Sequence, residues 1–236
     1  QNSGLGNSVN PLLSLASPEV YSIPMLLLIG WRGEPGVTDE PQHSHQGKVT
    51  ISMLEAMGIS YVILSSDTKT AFEQTEYALK TATQQSSPVA IIVRKGLFED
   101  YIQEKTSSDS TITRESAIIT IAEEVEKNAV VVATTGMASR ELFEFRSFNK
   151  LGHHSDFLTV GGMGHASQIA LGIAITQPNR RTYCFDGDGA AIMHMGSLSI
   201  SGQSGCKNFV HVVLNNGTHS SVGGQPTVGQ KINLCG

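Results

Sequence analysis

Apolar residues fall along the chain in short blocks separated by amphipathic stretches. The blocks are Met25–Ile29, Tyr61–Leu64, Val89–Val93, Ala129–Ala133, Phe157–Val160, Thr182–Phe185 and Phe209–Leu214. Each is short, partly β-branched and bounded by Gly, Pro, Ser or Asn, the pattern of strands buried on both faces. Between blocks the spacing turns helical, as at Ala71, Phe72, Thr75, Ala78, Leu79 and Ala82, and again at Ala117, Ile118, Ile121, Ala122 and Val125. Strands alternating with helices predict an α/β fold of parallel sheets with helices on both faces.

The polar stretch Gln103–Ser110 interrupts this alternation and has no apolar period. It is expected to be a linker, dividing the chain into halves 1–102 and 111–236. The chain opens at Gln1 without a Met and closes just after a Gly-rich loop. Both halves are therefore expected to be incomplete, the first at its beginning and the second at its end.

Composition narrows the function. The 236 residues include 24 Gly and carry a net charge of −5. No Lys/Arg run offers a footprint for nucleic acid or acidic lipid. The apolar run at 25–29 is far too short to span a bilayer. Cys184, Cys206 and Cys235 are widely spaced, form no CxxC pair and point to a reducing, cytoplasmic compartment.

One constellation carries chemistry. Gly187-Asp188-Gly189 follows one block and Asn215-Asn216 ends the next, with 25 residues between Gly189 and Asn215. Both markers are expected at the carboxyl ends of adjacent parallel strands, the edge where open α/β sheets bind ligands. A carboxylate and a carboxamide there can share one hard cation such as Mg²⁺, which prefers oxygen ligands and shares them with phosphate. Glycines beside them let backbone N–H groups approach that phosphate. A dinucleotide site fits less well, because Ile192 stands where Gly187-x-Gly189 would require a third small residue.

This spacing resembles the signature of the thiamin-diphosphate-dependent 2-oxoacid decarboxylases. Further stretches, NPLLSLASPEVYSIPMLLLIGWRGEPG from Asn10, GDGAAIMHMGS from Gly187 and VGGQPT from Val222, are similar to the phosphonopyruvate branch of that family, with the sulfopyruvate branch as its near relative. The resemblance implies two thiamin-diphosphate-binding-type domains, a pyrimidine-binding domain over 1–102 and a diphosphate-binding domain over 111–236. It implies Mg²⁺ held by the Asp188 and Asn216 side chains and the Thr218 carbonyl, with Gly187, Gly189, Ala190 and Gly217 beside it. Thr135, Gly136 and Met137 would form a diphosphate-contacting turn. Gly162 and Met163 would supply the turn whose apolar residue bends the cofactor. Gly4 and Gly6 would belong to the Gly-rich turn of the pyrimidine domain.

By the same resemblance, the activity would be Mg²⁺-dependent decarboxylation of 3-phosphonopyruvate to phosphonoacetaldehyde and CO₂, in a homo-oligomer with sites between chains. The family's activating glutamate lies upstream of the Gly-rich turn and would precede Gln1. Substrate-side candidates are Arg32, as a bidentate partner for a phosphonate, His43, in a loop after the first block, and His219. Ser220 stands where the family more often has an acidic residue. A sulfopyruvate decarboxylase, another thiamin enzyme such as a carboligase, and a cofactor-binding subunit inactive alone are the alternatives.

Overall fold

The computed structural model describes residues 1–100 and 111–235. The expected linker at 103–110 lies outside the described residues. The chain divides into two compact units, Gln1–Glu104 and Lys105–Gly236.

The first unit is built on a parallel three-stranded sheet in the order β1-β3-β2, formed by Met25–Gly30, Ser60–Ile63 and Pro88–Val93. Strand β3 lies in the middle and is buried at every residue. Its side chains alternate between two cores. Ala90 and Ile92 join Leu5, Ile29 and Leu54 on one face, while Val89, Ile91 and Val93 join Ala78 and Ala82 on the other. Burying each such Val, Leu or Ile stabilises the fold by about 1.5–3 kcal/mol.

Edge strand β1 departs from expectation. Its Leu28 is 64% exposed, so it is not buried on both faces. Only one neighbouring strand and one packed face constrain it, so an apolar run alone overstated its burial.

Three helices cover this sheet: α1 (Leu5–Pro11), α2 (Pro41–Ala56) and α3 (Thr68–Gln85). Asp67 caps α3 by accepting from the Thr70 amide at 2.8 Å. The stripe expected for α3 is only partly the buried one. Ala78 and Ala82 are buried, whereas Phe72 and Leu79 are 69% and 56% exposed. Small residues let this helix lie close to β3, and the larger ones are turned out of that contact.

Helix α2 has no apolar stripe, because its buried residues are Gly47, Thr50 and Leu54. They recur at helical spacing, but two of them are not hydrophobic. A Cβ on Gly47 would overlap the Gly33 carbonyl, so only glycine lets this helix approach the loop after β1. The Trp31 indole N–H donates to the Gly47 carbonyl at 2.9 Å and fixes that approach.

The second unit holds a parallel four-stranded sheet in the order β5-β4-β6-β7, formed by Asp156–Leu158, Val130–Ala133, Thr182–Gly187 and Phe209–Leu214. Again alternate side chains feed two cores. Val131, Ala133 and Phe185 pack with Ile118 of α4 (Arg114–Glu124) and Leu142 of α5 (Met137–Phe148). Val130, Val132 and Cys184 pack with Ala166 and Ala170 of α6 (Ala166–Thr176). Thr113 caps α4 by accepting from the Ser116 amide at 3.1 Å. Helices α7 (Asp188–Met193) and α8 (Gly196–Gln203) connect β6 to β7. After β7, the short strands β8 (Thr218–His219) and β9 (Gln225–Pro226) form an antiparallel hairpin that the apolar pattern did not signal.

Candidate active site

Strands β6 and β7 pair in parallel, with Gly187 opposite Leu214. Asp188 and Asn215 are therefore the next residues on the same edge of the sheet. Asp188 is 1% exposed, and its carboxylate accepts from the Thr227 hydroxyl. Gly229 faces it. A Cβ at that position would lie 2.5 Å from Asp188 Oδ2 and 2.8 Å from Asn215 Oδ1. Two side-chain oxygens thus converge on a space that glycine leaves open.

The next turn is held by its own polar groups. Asn215 Nδ2 donates to the Gly229 carbonyl at 2.8 Å, and its Oδ1 accepts from the Gly217 amide at 3.1 Å. Asn216 Oδ1 accepts from the Thr218 amide at 3.0 Å, while its Nδ2 donates to Ser220 Oγ at 2.8 Å. Gly217 has φ 68°, a left-handed turn conformation that glycine adopts without strain. His219 lies over the other marker, since a Cβ on Gly189 would run into its imidazole ring.

Several of these residues line a cleft partly open to solvent. Gly187, Asp188, Gly189, Ala190, Asn216 and Thr218 form part of its wall, and His219 another part. Thr135 and Met137 line it too, on either side of Gly136. Gly136 has φ 96° and ψ −135°, and the Ser221 hydroxyl occupies the place of its missing Cβ. The Thr135 hydroxyl donates to the Val160 carbonyl at 2.6 Å, which fixes this turn to the end of the neighbouring strand. Met163 reaches the cleft from the turn that begins at Gly162, itself at φ 66°.

A divalent cation with a diphosphate fits this donor set. Asp188 is a buried carboxylate with one donor among the described residues, so it retains acceptor capacity for a cation. The Thr134 hydroxyl is buried without a partner in the same wall, as a donor awaiting an oxyanion would be.

The candidates of the first unit are placed differently. Arg32 is paired within its own loop through two of its N–H groups. Its Nε donates to Asp39 Oδ2 at 2.7 Å and its Nη2 to Asp39 Oδ1. Gly33 and Glu40 amides complete the set on Asp39, each at 2.8 Å. The Asp39 carboxyl is held well below the usual carboxylate range, first by the Arg32 hydrogen bond and then by those amides, against the opposing effect of burial. The spacing of Arg32 and Asp39 carried this signal, because they flank one tight loop. His43 lies on helix α2 rather than in a loop, since Pro41 starts the helix two residues before it. It is half-buried, and its Nδ1 has no hydrogen-bond partner. Gly4 and Gly6 lie at the start of α1 with open space where a Cβ would stand.

Sequence reasoning passed over a trio of side chains on β6 and β7. Cys184 and Asp186 alternate along β6, and His211 of β7 stands opposite Cys184. Their ligand atoms lie within 4.8 Å of one another. His211 Nε2 approaches Asp186 Oδ2 at 3.3 Å, and burial, with Asp186 nearby, pushes the Cys184 thiol far up. Only strand register brings them together, which an apolar block does not encode.

Residues 134–233 match the family described as "Thiamine pyrophosphate enzyme, C-terminal TPP binding domain". Over 99% of its length the chain is 34% identical to a phosphonopyruvate decarboxylase of Streptomyces viridochromogenes, of which it covers 61%. It is 28% identical, over 96% of its length, to a sulfopyruvate decarboxylase of Methanosarcina acetivorans, of which it covers 62%. A sulfopyruvate decarboxylase subunit beta of Methanocaldococcus jannaschii is 34% identical over 48% of the chain and 58% of that subunit. The chain thus spans about three fifths of the length of the full-length relatives it matches.

Proposed function

We propose that residues 134–233, which match the C-terminal TPP binding domain of thiamine pyrophosphate enzymes, are part of a protein that decarboxylates 3-phosphonopyruvate to phosphonoacetaldehyde and CO₂. One observation carries the proposal. A buried carboxylate with spare acceptor capacity, Asp188, lines a cleft at the carboxyl edge of a parallel sheet, in a chain 34% identical to phosphonopyruvate decarboxylase along 99% of its length.

Mg²⁺ would be held by the Asp188 and Asn216 side chains and the Thr218 carbonyl. Gly187, Gly189, Ala190 and Gly217 keep side chains out of the way of the diphosphate, and Thr135, Gly136 and Met137 close over it from the start of α5. When bound, thiamin diphosphate supplies the electron sink that loss of CO₂ requires. Met163, on the Gly162 turn, would support the cofactor from its side of the cleft. His219 is fixed over Gly189 and offers a ring nitrogen to the substrate side. Gly4 and Gly6 would serve the pyrimidine side and His43 the substrate, in a cytoplasmic homo-oligomer with sites between chains.

The test uses the full-length protein with Mg²⁺ and thiamin diphosphate, measuring CO₂ release from 3-phosphonopyruvate, sulfopyruvate and pyruvate. Release from the phosphonate substrate is expected to lead. No release from any of the three would overturn the proposal. Sulfopyruvate is the second reading, favoured by the 28% identity to a sulfopyruvate decarboxylase over 96% of the chain. The match of 48% of the chain to a separate beta subunit keeps a third in view, a cofactor-binding subunit that needs a companion chain for turnover.

A further inference from the structure

Arg32 and Arg114 are each gripped by one carboxylate through Nε and Nη2, and of the two it is Arg114 that lines the cleft. The cleft of the second unit contains an unassigned cation. Among the residues lining it, Arg114 is the one side chain that is positively charged at all ordinary pH. It is the first residue of α4, and its guanidinium is aimed by Glu141 of α5. Nε donates to Glu141 Oε2 at 2.8 Å and Nη2 to Oε1 at 2.7 Å. That bidentate grip uses two of five N–H groups and fixes the plane of the fork. The Arg114 side chain is 23% exposed and that of Glu141 is 11% exposed, so the pair is only partly screened by water.

Thr134 supplies a second donor. It is 5% exposed, lines the same cleft, and its hydroxyl has no partner among the described residues. A buried hydroxyl without a hydrogen bond costs about 1–3 kcal/mol, so such a group is normally matched by a ligand or a water. A partly spare guanidinium and an unmatched hydroxyl in one wall are what a tetrahedral oxyanion needs.

We propose that Arg114, oriented by Glu141 and assisted by Thr134, is an anion subsite of this cleft that takes a phosphoryl or phosphonyl group. The proposal rests on the assignment of the cleft as a diphosphate site. Two sources share that chemistry, the diphosphate tail of the cofactor and the phosphonate of the substrate. In either case Glu141 is a positioning residue, because it acts through Arg114 and leaves the binding to the free side of the fork.

The experiment is calorimetry on the full-length protein, with Mg²⁺ and inorganic pyrophosphate as one probe. Phosphonoacetate, added to protein already saturated with Mg²⁺ and thiamin diphosphate, is the other. Arg114→Gln is expected to weaken one of the two by roughly ten- to hundredfold, the range of a charge-assisted hydrogen bond. Loss on pyrophosphate identifies the cofactor's tail as the ligand, and loss on phosphonoacetate identifies the substrate. Thr134→Val is expected to weaken the same probe, by about fivefold to tenfold. Glu141→Gln keeps the cation and is expected to retain most of that affinity.

A purely structural ion pair predicts otherwise. Arg114→Gln and Glu141→Gln would then lower stability alike and leave both affinities unchanged, and that result would overturn the proposal. Where Arg114→Gln fails to fold, the double variant Arg114→Gln/Glu141→Gln removes both charges and leaves no orphaned carboxylate; unchanged affinity for both probes in it overturns the proposal equally. Failure here is separable from failure of the decarboxylase assignment. Unaltered probe binding with intact CO₂ release sinks the subsite only. Arg114-dependent binding without CO₂ release sinks only the activity.

Discussion

Asp39 and Asp188 are both acidic side chains withdrawn from water, one in each unit, yet they are furnished in opposite ways. Asp39 receives the Arg32 fork and the amides of Gly33 and Glu40, so its acceptor sites are filled from within its own loop. Asp188 receives the Thr227 hydroxyl and faces Gly229, whose missing Cβ keeps the space before it open. Burial alone therefore does not distinguish a carboxylate satisfied by the chain from one with acceptor capacity to spare. The number of donors supplied by the chain does, because a buried charge must find its compensation somewhere.

The largest expected effect tests the open carboxylate. Asp188→Ala in the full-length protein should weaken Mg²⁺-dependent binding of thiamin diphosphate by roughly hundredfold or more, since on the proposed reading it removes a metal ligand. The thermal midpoint without ligands should hardly move. Calorimetry and a melting curve on the same sample check both halves, and unchanged affinity would dissolve the contrast with Asp39.

Asp39→Asn should do the reverse, lowering stability by about 1–3 kcal/mol because Arg32 loses its charged partner. The figure stays modest because the Arg32 side chain is 33% exposed and partly solvated. Its pH dependence has a definite sign. The folded carboxyl titrates below its unfolded value of about 3.9. Its stabilisation is therefore fully present above that value and is lost as pH falls through the lower folded one. Denaturant titrations at successive pH values from 5 downward should show a loss in the parent protein that Asp39→Asn lacks. Identical acid limbs would mean that Asp39 is not held as described.

A smaller effect sharpens the picture of the open site. Gly189→Ala places a methyl group against the His219 ring and should lower turnover by about tenfold, as expected for a displaced active-site group. Adding His219→Ala should relieve the crowding and restore cofactor affinity but not full turnover. The smallest effect is expected at Met163→Ala. Turnover should fall by several-fold and cofactor affinity by less, because a looser support affects the geometry of the reaction more than binding. Equal losses in both would count against a supporting role.

Much of the fold is legible in the amino-acid sequence alone. All seven strand blocks appear, because each contributes to a core on at least one side and β3, β4 and β6 on both. The placement of Asp188 and Asn216 at one edge of the sheet is legible, because turns at the ends of neighbouring parallel strands must share that edge. Helix α2 is not, since its buried side is made of Gly47 and Thr50 rather than hydrophobic residues. Arg114 and Thr134 are also invisible, because neither a cation at a helix start nor a threonine after a strand reveals in sequence what it faces. The pairing of Asp186 with His211 needs the register of β6 against β7, which only packing decides.

The contact between Gly33 and Gly47 carries a lesson for anyone who builds a library of variants of this protein. Both positions should reject every larger amino acid, as firmly as a reactive group rejects replacement, although the cause is shortage of room between two main chains. Intolerance at residue 33 or 47 would then measure how tightly a loop is wedged against a helix, and it should not be mistaken for a trace of chemistry.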